Sequence, residues 1–225
     1  MTMTQDPHAD QPVYGNPVEP ADAPLTVLGL HGRGAGARDV LGLAAALDRP
    51  SLAYLAPDAF QWTWYPGRFT APLASNEPYL SSALRRIDSL VAELAAEGVP
   101  PEKVMLLGFS QGACLSLEYV ARNPRRYAGV AALSGGLIGP RLEPERYPGG
   151  LDGTPIFLGC SDRDPHIPLD RVQESSRDLE RQGAEVTEKI YPGMPHTVVE
   201  DELDQVRAMI DRAIAGRLSP SAGSL

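Results

Sequence analysis

The stretch Val104-Met105-Leu106-Leu107-Gly108-Phe109-Ser110-Gln111-Gly112-Ala113-Cys114 constrains this chain more than any other. An apolar run reads as a buried strand, and Gly-x-Ser-x-Gly follows it directly. Ala113 to Arg122 then reads as a helix ended by Asn123-Pro124. Strand, sharp turn and helix together hold a serine on a strained elbow. A side chain in place of either glycine would collide with the flanking strand and helix. The turn lifts the Ser110 hydroxyl above the sheet, where the unpaired N–H groups of the helix start converge. The competing reading is a Gly-rich turn whose serine merely caps the helix.

Upstream, Leu25 to Leu30 is an apolar strand running into His31-Gly32-Arg33-Gly34-Ala35-Gly36, with a helix from about Arg38 to Leu47. The glycines follow G-x-G-x-G and not the dinucleotide spacing G-x-G-x-x-G. The loop's other use is to offer backbone N–H groups to a developing oxyanion. The donors would be the amides of Arg33 and of Gln111. Ser51 to Ala56 is a further strand. Residues 59–78 form the longest irregular stretch, and both tryptophans and two of the 4 phenylalanines lie in it. An idle surface loop has no reason to carry so much apolar area. Trp62, Trp64, Tyr65 and Phe69 are the expected wall of a substrate pocket, against the alternative that they fold onto the core.

From about Glu77 to Glu97, Leu80, Ala83, Leu84, Ile87, Leu90, Val91 and Leu94 repeat on one helical face, with Asn76 as N-cap and Gly98 past the end. Strands follow at Gly129 to Leu133, Pro155 to Cys160 and Glu185 to Tyr191. Helices follow from Pro168 to about Gln182 and from Val199 to Leu218. Apolar strands alternating with amphipathic helices predict an α/β fold, a mainly parallel sheet with helices on both faces. In such folds reactive residues collect beyond the carboxyl ends of the strands. Ser110, one acid of Asp162 and Asp164, and His196 lie there, in the chain order of an α/β-hydrolase.

The chemistry requires these three types. A serine hydroxyl is a weak nucleophile until a neutral imidazole takes its proton, and an acid on the other ring nitrogen fixes the tautomer. Among the other histidines, His31 is expected to brace the glycine loop, His166 to be a loop or helix-start residue, and His8 to lie solvated. Asp162, Asp164, His166 and His196 lack metal-ligand spacing, and no metal is expected.

The sequence has 225 residues, which suits one α/β unit. The expected division is a mostly irregular N-terminal tail over 1–24, in which Val13-Tyr14-Gly15 adds an edge strand, a domain over 25–218, and a C-terminal tail over 219–225. A net charge of −9 argues against nucleic acid or an anionic membrane surface as partner. Cys114 and Cys160 are too few for a disulfide framework. With no apolar run of membrane length and no signal pattern, the expectation is a cytoplasmic protein without stable membrane insertion, a monomer or homodimer.

The chain resembles the phospholipase/carboxylesterase family of α/β-hydrolases, the group that includes acyl-protein thioesterases. The resemblance rests on Leu30-His31-Gly32, Gly108-Phe109-Ser110-Gln111-Gly112-Ala113, Asp164-Pro165-His166-Ile167-Pro168 and Gly193-Met194-Pro195-His196. It implies a cofactor-free esterase with triad Ser110, Asp164 and His196, an oxyanion hole from the Arg33 and Gln111 amides, and a small-molecule ester as partner. Arg33-Gly34-Ala35-Gly36 stands where the thioesterase branch carries Leu-Gly-Asp. The expectation is therefore a carboxylesterase for short- to medium-chain esters, with Arg33 or Arg68 favouring a free carboxylate. The alternatives are an acyl-thioesterase or lysophospholipase-type hydrolase, and a non-catalytic binding protein on the same scaffold.

Overall fold

Runs of apolar residues become strands that are buried on both sides. A computed structural model of the protein describes residues 6–218; residues 1–5, the start of the expected N-terminal tail, and 219–225, the whole of the expected C-terminal tail, lie outside the described residues. The strands are β1 (Val13–Gly15), β2 (Thr26–Leu30), β3 (Ala53–Pro57), β4 (Val104–Phe109), β5 (Gly129–Leu133), β6 (Pro155–Ser161) and β7 (Glu185–Tyr191). The helices are α1 (Ala37–Ala46), α2 (Tyr79–Ala96), α3 (Gln111–Arg122), α4 (Leu169–Arg181) and α5 (Glu200–Leu218). One 7-stranded sheet has the order β1-β3-β2-β4-β5-β6-β7. Every pairing is parallel except that of β1, which runs antiparallel to β3 and closes that edge with three residues.

Period-two alternation sorts the strand residues onto two faces. Val27, Met105, Leu107, Ala131, Leu133 and Phe157 pack in one cluster with Ala44 of α1 and Leu203, Val206 and Ile210 of α5. Leu28, Leu30, Leu106, Val130, Ala132 and Leu158 pack in the other with residues of α2, α3 and α4, among them Ile87, Leu117 and Val172. The strand order reverses between β2 and β4, since β3 lies beyond β2 on one side and β5 beyond β4 on the other. At such a reversal the loops after neighbouring strands part, and the crevice between them is where α/β folds hold ligands. Here those loops are the glycine loop after β2 and the elbow after β4.

Two expectations need correction. Asn76 does not cap α2. Its side-chain oxygen accepts the Gly67 N–H at 2.8 Å and its amide donates to the Arg68 carbonyl at 3.0 Å, so a buried side chain fastens the 59–78 loop instead. His8 is not solvated but wholly buried. Its N–H donates to Ser82 Oγ at 2.9 Å, its Nδ1 accepts the Phe60 N–H at 3.0 Å, and its Nε2 donates to the Trp64 carbonyl at 3.1 Å. Asp6 extends this strap to the Ser82 hydroxyl and the Arg85 guanidinium. Burial lowers the His8 pKa, so the ring stays neutral and can accept at one nitrogen while donating at the other. With a folded pKa below the unfolded one, this ring favours the fold above the ordinary histidine range and loses that contribution as pH falls through it.

Candidate active site

The elbow is built as its residue types require. Ser110 sits at φ 54, ψ −116, a backbone conformation that L residues rarely adopt, between β4 and α3. A β-carbon at Gly108 would lie 2.5 Å from the Ala113 nitrogen, and one at Gly112 would lie 2.5 Å from the Leu30 carbonyl carbon and 2.7 Å from the His31 oxygen. Two glycines therefore let α3 pack directly on the turn and on the end of β2. The Ser110 N–H donates to the Leu133 carbonyl at 2.9 Å, and its own carbonyl accepts the Cys114 N–H at 3.0 Å.

Three strand ends bring Ser110, His196 and Asp164 into one hydrogen-bonded line. His196, from the loop after β7, has Nε2 2.9 Å from Ser110 Oγ and Nδ1 2.6 Å from Asp164 Oδ2. The other Asp164 oxygen accepts the His166 N–H at 2.8 Å and the Ile167 N–H at 3.0 Å. Burial would raise the Asp164 carboxyl, but the bonds from His196 and the two amides outweigh it and hold the group below the usual carboxylate range. An ionised Asp164 accepts a hydrogen bond from His196 Nδ1–H, which keeps the ring proton on that nitrogen and leaves Nε2 free to accept from the serine hydroxyl. Asp162, the competing acid, instead accepts the Gly193 N–H at 2.7 Å and shapes the loop that carries His196.

The second glycine loop meets the elbow from β2. His31 is buried; its Nδ1 donates to the Gly32 carbonyl at 2.7 Å and its Nε2 accepts the Ala59 N–H at 3.0 Å. It joins the glycine loop to the 59–78 segment, the bracing role expected of it. The main-chain N–H groups of Arg33 and Gln111 have no acceptor among the described residues, which leaves both free to bind an oxyanion.

A cavity of about 330 Å³ opens over Ser110 and His196. Tyr65 and Phe69 line it together with Phe109, Ile167 and Cys114. Trp62 and Trp64 do not. Trp62 is 63% exposed, and the wholly buried Trp64 donates its indole N–H to the His31 carbonyl at 2.9 Å. In a loop without periodicity, apolar content does not tell which rings are buried or which way each one faces.

Sequence reasoning also missed what the side chains of Gln111 and Arg33 do. The Gln111 amide oxygen accepts the Trp64 N–H at 2.9 Å, and its nitrogen donates to the Tyr65 carbonyl at 2.8 Å. The Arg33 guanidinium donates to the Thr63 hydroxyl and to the carbonyls of Pro66 and Gly67, at 3.1, 2.9 and 2.5 Å. Both residues thus tie the aromatic loop to the two turns beside Ser110. A polar residue before a buried aromatic loop was the available signal, but its partners lie 30 or more positions away.

One buried acid flanks the site without entering it. Glu202, at the start of α5, accepts the Val199 N–H at 3.0 Å, while its other oxygen has no hydrogen-bond partner among the described residues. Burial pushes its carboxyl up to about 7 from 4.5. The folded state therefore holds a proton that the unfolded chain has released, and stability falls as pH rises from 4.5 to about 7. Glu202→Gln should stabilise the protein at pH 8 by up to about 3 kcal/mol, a Tm rise of roughly 5–10 °C, and do almost nothing near pH 4.5. Melting curves at both pH values check this; an equal effect at both would rule out the buried charge as cause.

Residues 23–214 match the model of the phospholipase/carboxylesterase family. Among solved structures, a phospholipase/carboxylesterase from Dyadobacter fermentans aligns with a TM-score of 0.87 and 42% identity, over 90% of this chain and 97% of that one. Acyl-protein thioesterase 1 of Saccharomyces cerevisiae is 31% identical over 137 residues, 60% of either chain. Carboxylesterase SOBER1 of Arabidopsis thaliana is 28% identical over 144 residues, 64% of this chain and 63% of that protein. The chain spans about 60% of the length of the first of these curated relatives. Among the described residues, no helix is long and apolar enough to cross a membrane.

Proposed function

The chain belongs to the phospholipase/carboxylesterase family of α/β-hydrolases, and on that premise we propose that it is a serine hydrolase of small carboxylic esters. The observation that carries the reading is the unbroken hydrogen-bonded line from Asp164 through His196 to Ser110, at the floor of a cavity. Ser110 Oγ attacks the ester carbonyl carbon as its proton passes to His196 Nε2. The new oxyanion lies between the amides of Arg33 and Gln111, each such donor contributing about 3 kcal/mol to the transition state. The carbon–oxygen bond to the alcohol then breaks, and His196 returns the proton to the departing oxygen. Water, deprotonated by the same nitrogen, releases the acid from Ser110. The ionised Asp164 stabilises the imidazolium that exists between these transfers.

Cavity size sets the expected chain length. The cavity of about 330 Å³ is small, and Tyr65, Phe69, Phe109 and Ile167 crowd it beside Ser110, which favours short and medium acyl groups over a palmitoyl chain. Across p-nitrophenyl esters from acetate to palmitate, kcat/KM should peak at or below octanoate and fall steeply beyond it. A maximum at palmitate would overturn this assignment of the pocket. The name of the yeast relative supports a second reading, in which the leaving group is a thiol. Matched oxygen and thio esters of one acyl group separate the two.

A further inference from the structure

The rim of the cavity runs against the charge of the molecule. The chain carries −9 overall, yet two arginines, Arg33 and Arg68, are among the residues that line the cavity, and no Asp or Glu is. Asp164, the nearest acid described, has a fully buried side chain beneath His196. Tyr65, Phe69, Phe109 and Ile167 make up much of the remaining lining, and no carboxylate among the lining residues opposes a cation at the mouth.

The two arginines differ in what their donors do. Those of Arg33 are occupied by the Thr63 hydroxyl and the Pro66 and Gly67 carbonyls, which makes it a staple whose charge persists because its acceptors are neutral. The Arg68 guanidinium has no hydrogen bond or ion pair among the described residues. Its backbone, by contrast, is held on several sides. The Arg68 carbonyl accepts from Asn76, the Gly67 N–H donates to Asn76, and the Phe69 carbonyl accepts the Gly139 N–H at 2.7 Å. A guanidinium with unoccupied donors, on an anchored backbone, at the mouth of an acid-free cavity above a candidate nucleophile, is arranged to grip an anion two-pronged.

We propose that the substrate is a small ester bearing a free carboxylate, and that Arg68 is the residue that selects it. This rests on the serine-hydrolase reading above and narrows it to hemiesters of short dicarboxylic acids and acyl esters of small hydroxy acids. The carboxylate meets Arg68 at the mouth while the ester carbonyl meets Ser110 at the floor, so the effect falls mainly on KM.

The test compares pairs of equal carbon number that differ in charge: monoethyl glutarate with ethyl pentanoate for the acyl side, and 4-acetoxybutanoate with butyl acetate for the alcohol side. The wild type should favour the anionic member of at least one pair by about tenfold or more in kcat/KM. That ratio should fall about tenfold in Arg68→Gln and survive in part in Arg68→Lys. It should also shrink as ionic strength rises from about 0.02 to about 0.5 M. A second arm needs no turnover: calorimetry of monoethyl glutarate and 4-acetoxybutanoate binding to Ser110→Ala, with and without Arg68→Gln, should show about tenfold weaker binding of the favoured anion without the arginine. Turnover that shows no anionic preference in either pair, or a ratio indifferent to Arg68, overturns the carboxylate site and leaves the esterase reading standing. Arg68-dependent binding without hydrolysis of any ester keeps the carboxylate site and removes the esterase reading.

Discussion

Ser110→Ala should lower kcat on a short p-nitrophenyl ester by about 10⁴- to 10⁶-fold and leave the protein folded. The size follows from the geometry: Oγ is the atom 2.9 Å from His196 Nε2, and no other hydroxyl shares that nitrogen among the described residues. The control is Ser110→Gly. Alanine inherits the strained φ of 54, whereas glycine adopts it freely. The glycine variant should therefore be equally inactive and more stable than wild type by about 1–3 kcal/mol. A fluorophosphonate should label the wild type at Ser110 and neither variant. Activity within about tenfold of wild type in folded Ser110→Ala would remove the serine from the chemistry. Wild-type protein that is neither active on any ester nor labelled would instead favour a binding protein on this scaffold.

Gly112→Ala should cost about 4 kcal/mol or more, lowering Tm by roughly 8–16 °C or preventing folding altogether. The added carbon meets backbone, the Leu30 carbonyl carbon at 2.5 Å and the His31 oxygen at 2.7 Å, and backbone at the end of a central strand cannot swing aside. The same change at Gly42, on the exposed face of α1 with nothing within 4 Å, should raise stability by about 0.5–1 kcal/mol. One methyl group at two glycines thus gives opposite signs, and thermal melts of the pair read them directly. Near-equal effects would mean that the close approach of α3 to β2 does not hold.

Much of this architecture was legible in the sequence because it rests on local or periodic signals. The central strands β2, β4 and β5 are apolar runs, α2 repeats its leucines on one face, and Gly98 and Gly183 adopt the positive φ expected past a helix end. The elbow needed only its own residues and its neighbours. The choice of Asp164 over Asp162 was different: spacing left both open, and only the family resemblance at Asp164-Pro165-His166-Ile167-Pro168 pointed to Asp164. Both follow β6, and the path of the His196 loop sends one to the imidazole and the other to Gly193. The roles of His8, Asn76 and the Arg33 and Gln111 side chains were hidden for a related reason. Each bonds to main-chain groups, which carry no residue identity and leave no trace in the partner's sequence. His8 meets Trp64 across 56 positions and Ser82 across 74.

The double attachment of Gln111 bears on how such a scaffold can change. Its main chain begins α3 beside the nucleophile, and its side chain clasps the loop that walls the pocket, with Arg33 doing the same from the opposite turn. Wall and reaction centre are therefore not interchangeable modules. Grafting a foreign loop over residues 62–67 would unseat the turns that position both candidate oxyanion donors, so broader taste would come at the expense of rate. New specificity is open chiefly through single replacements at positions such as Arg68 and Phe69, whose side chains face the cavity while their backbones stay pinned. Such a scaffold invites tuning and resists transplantation.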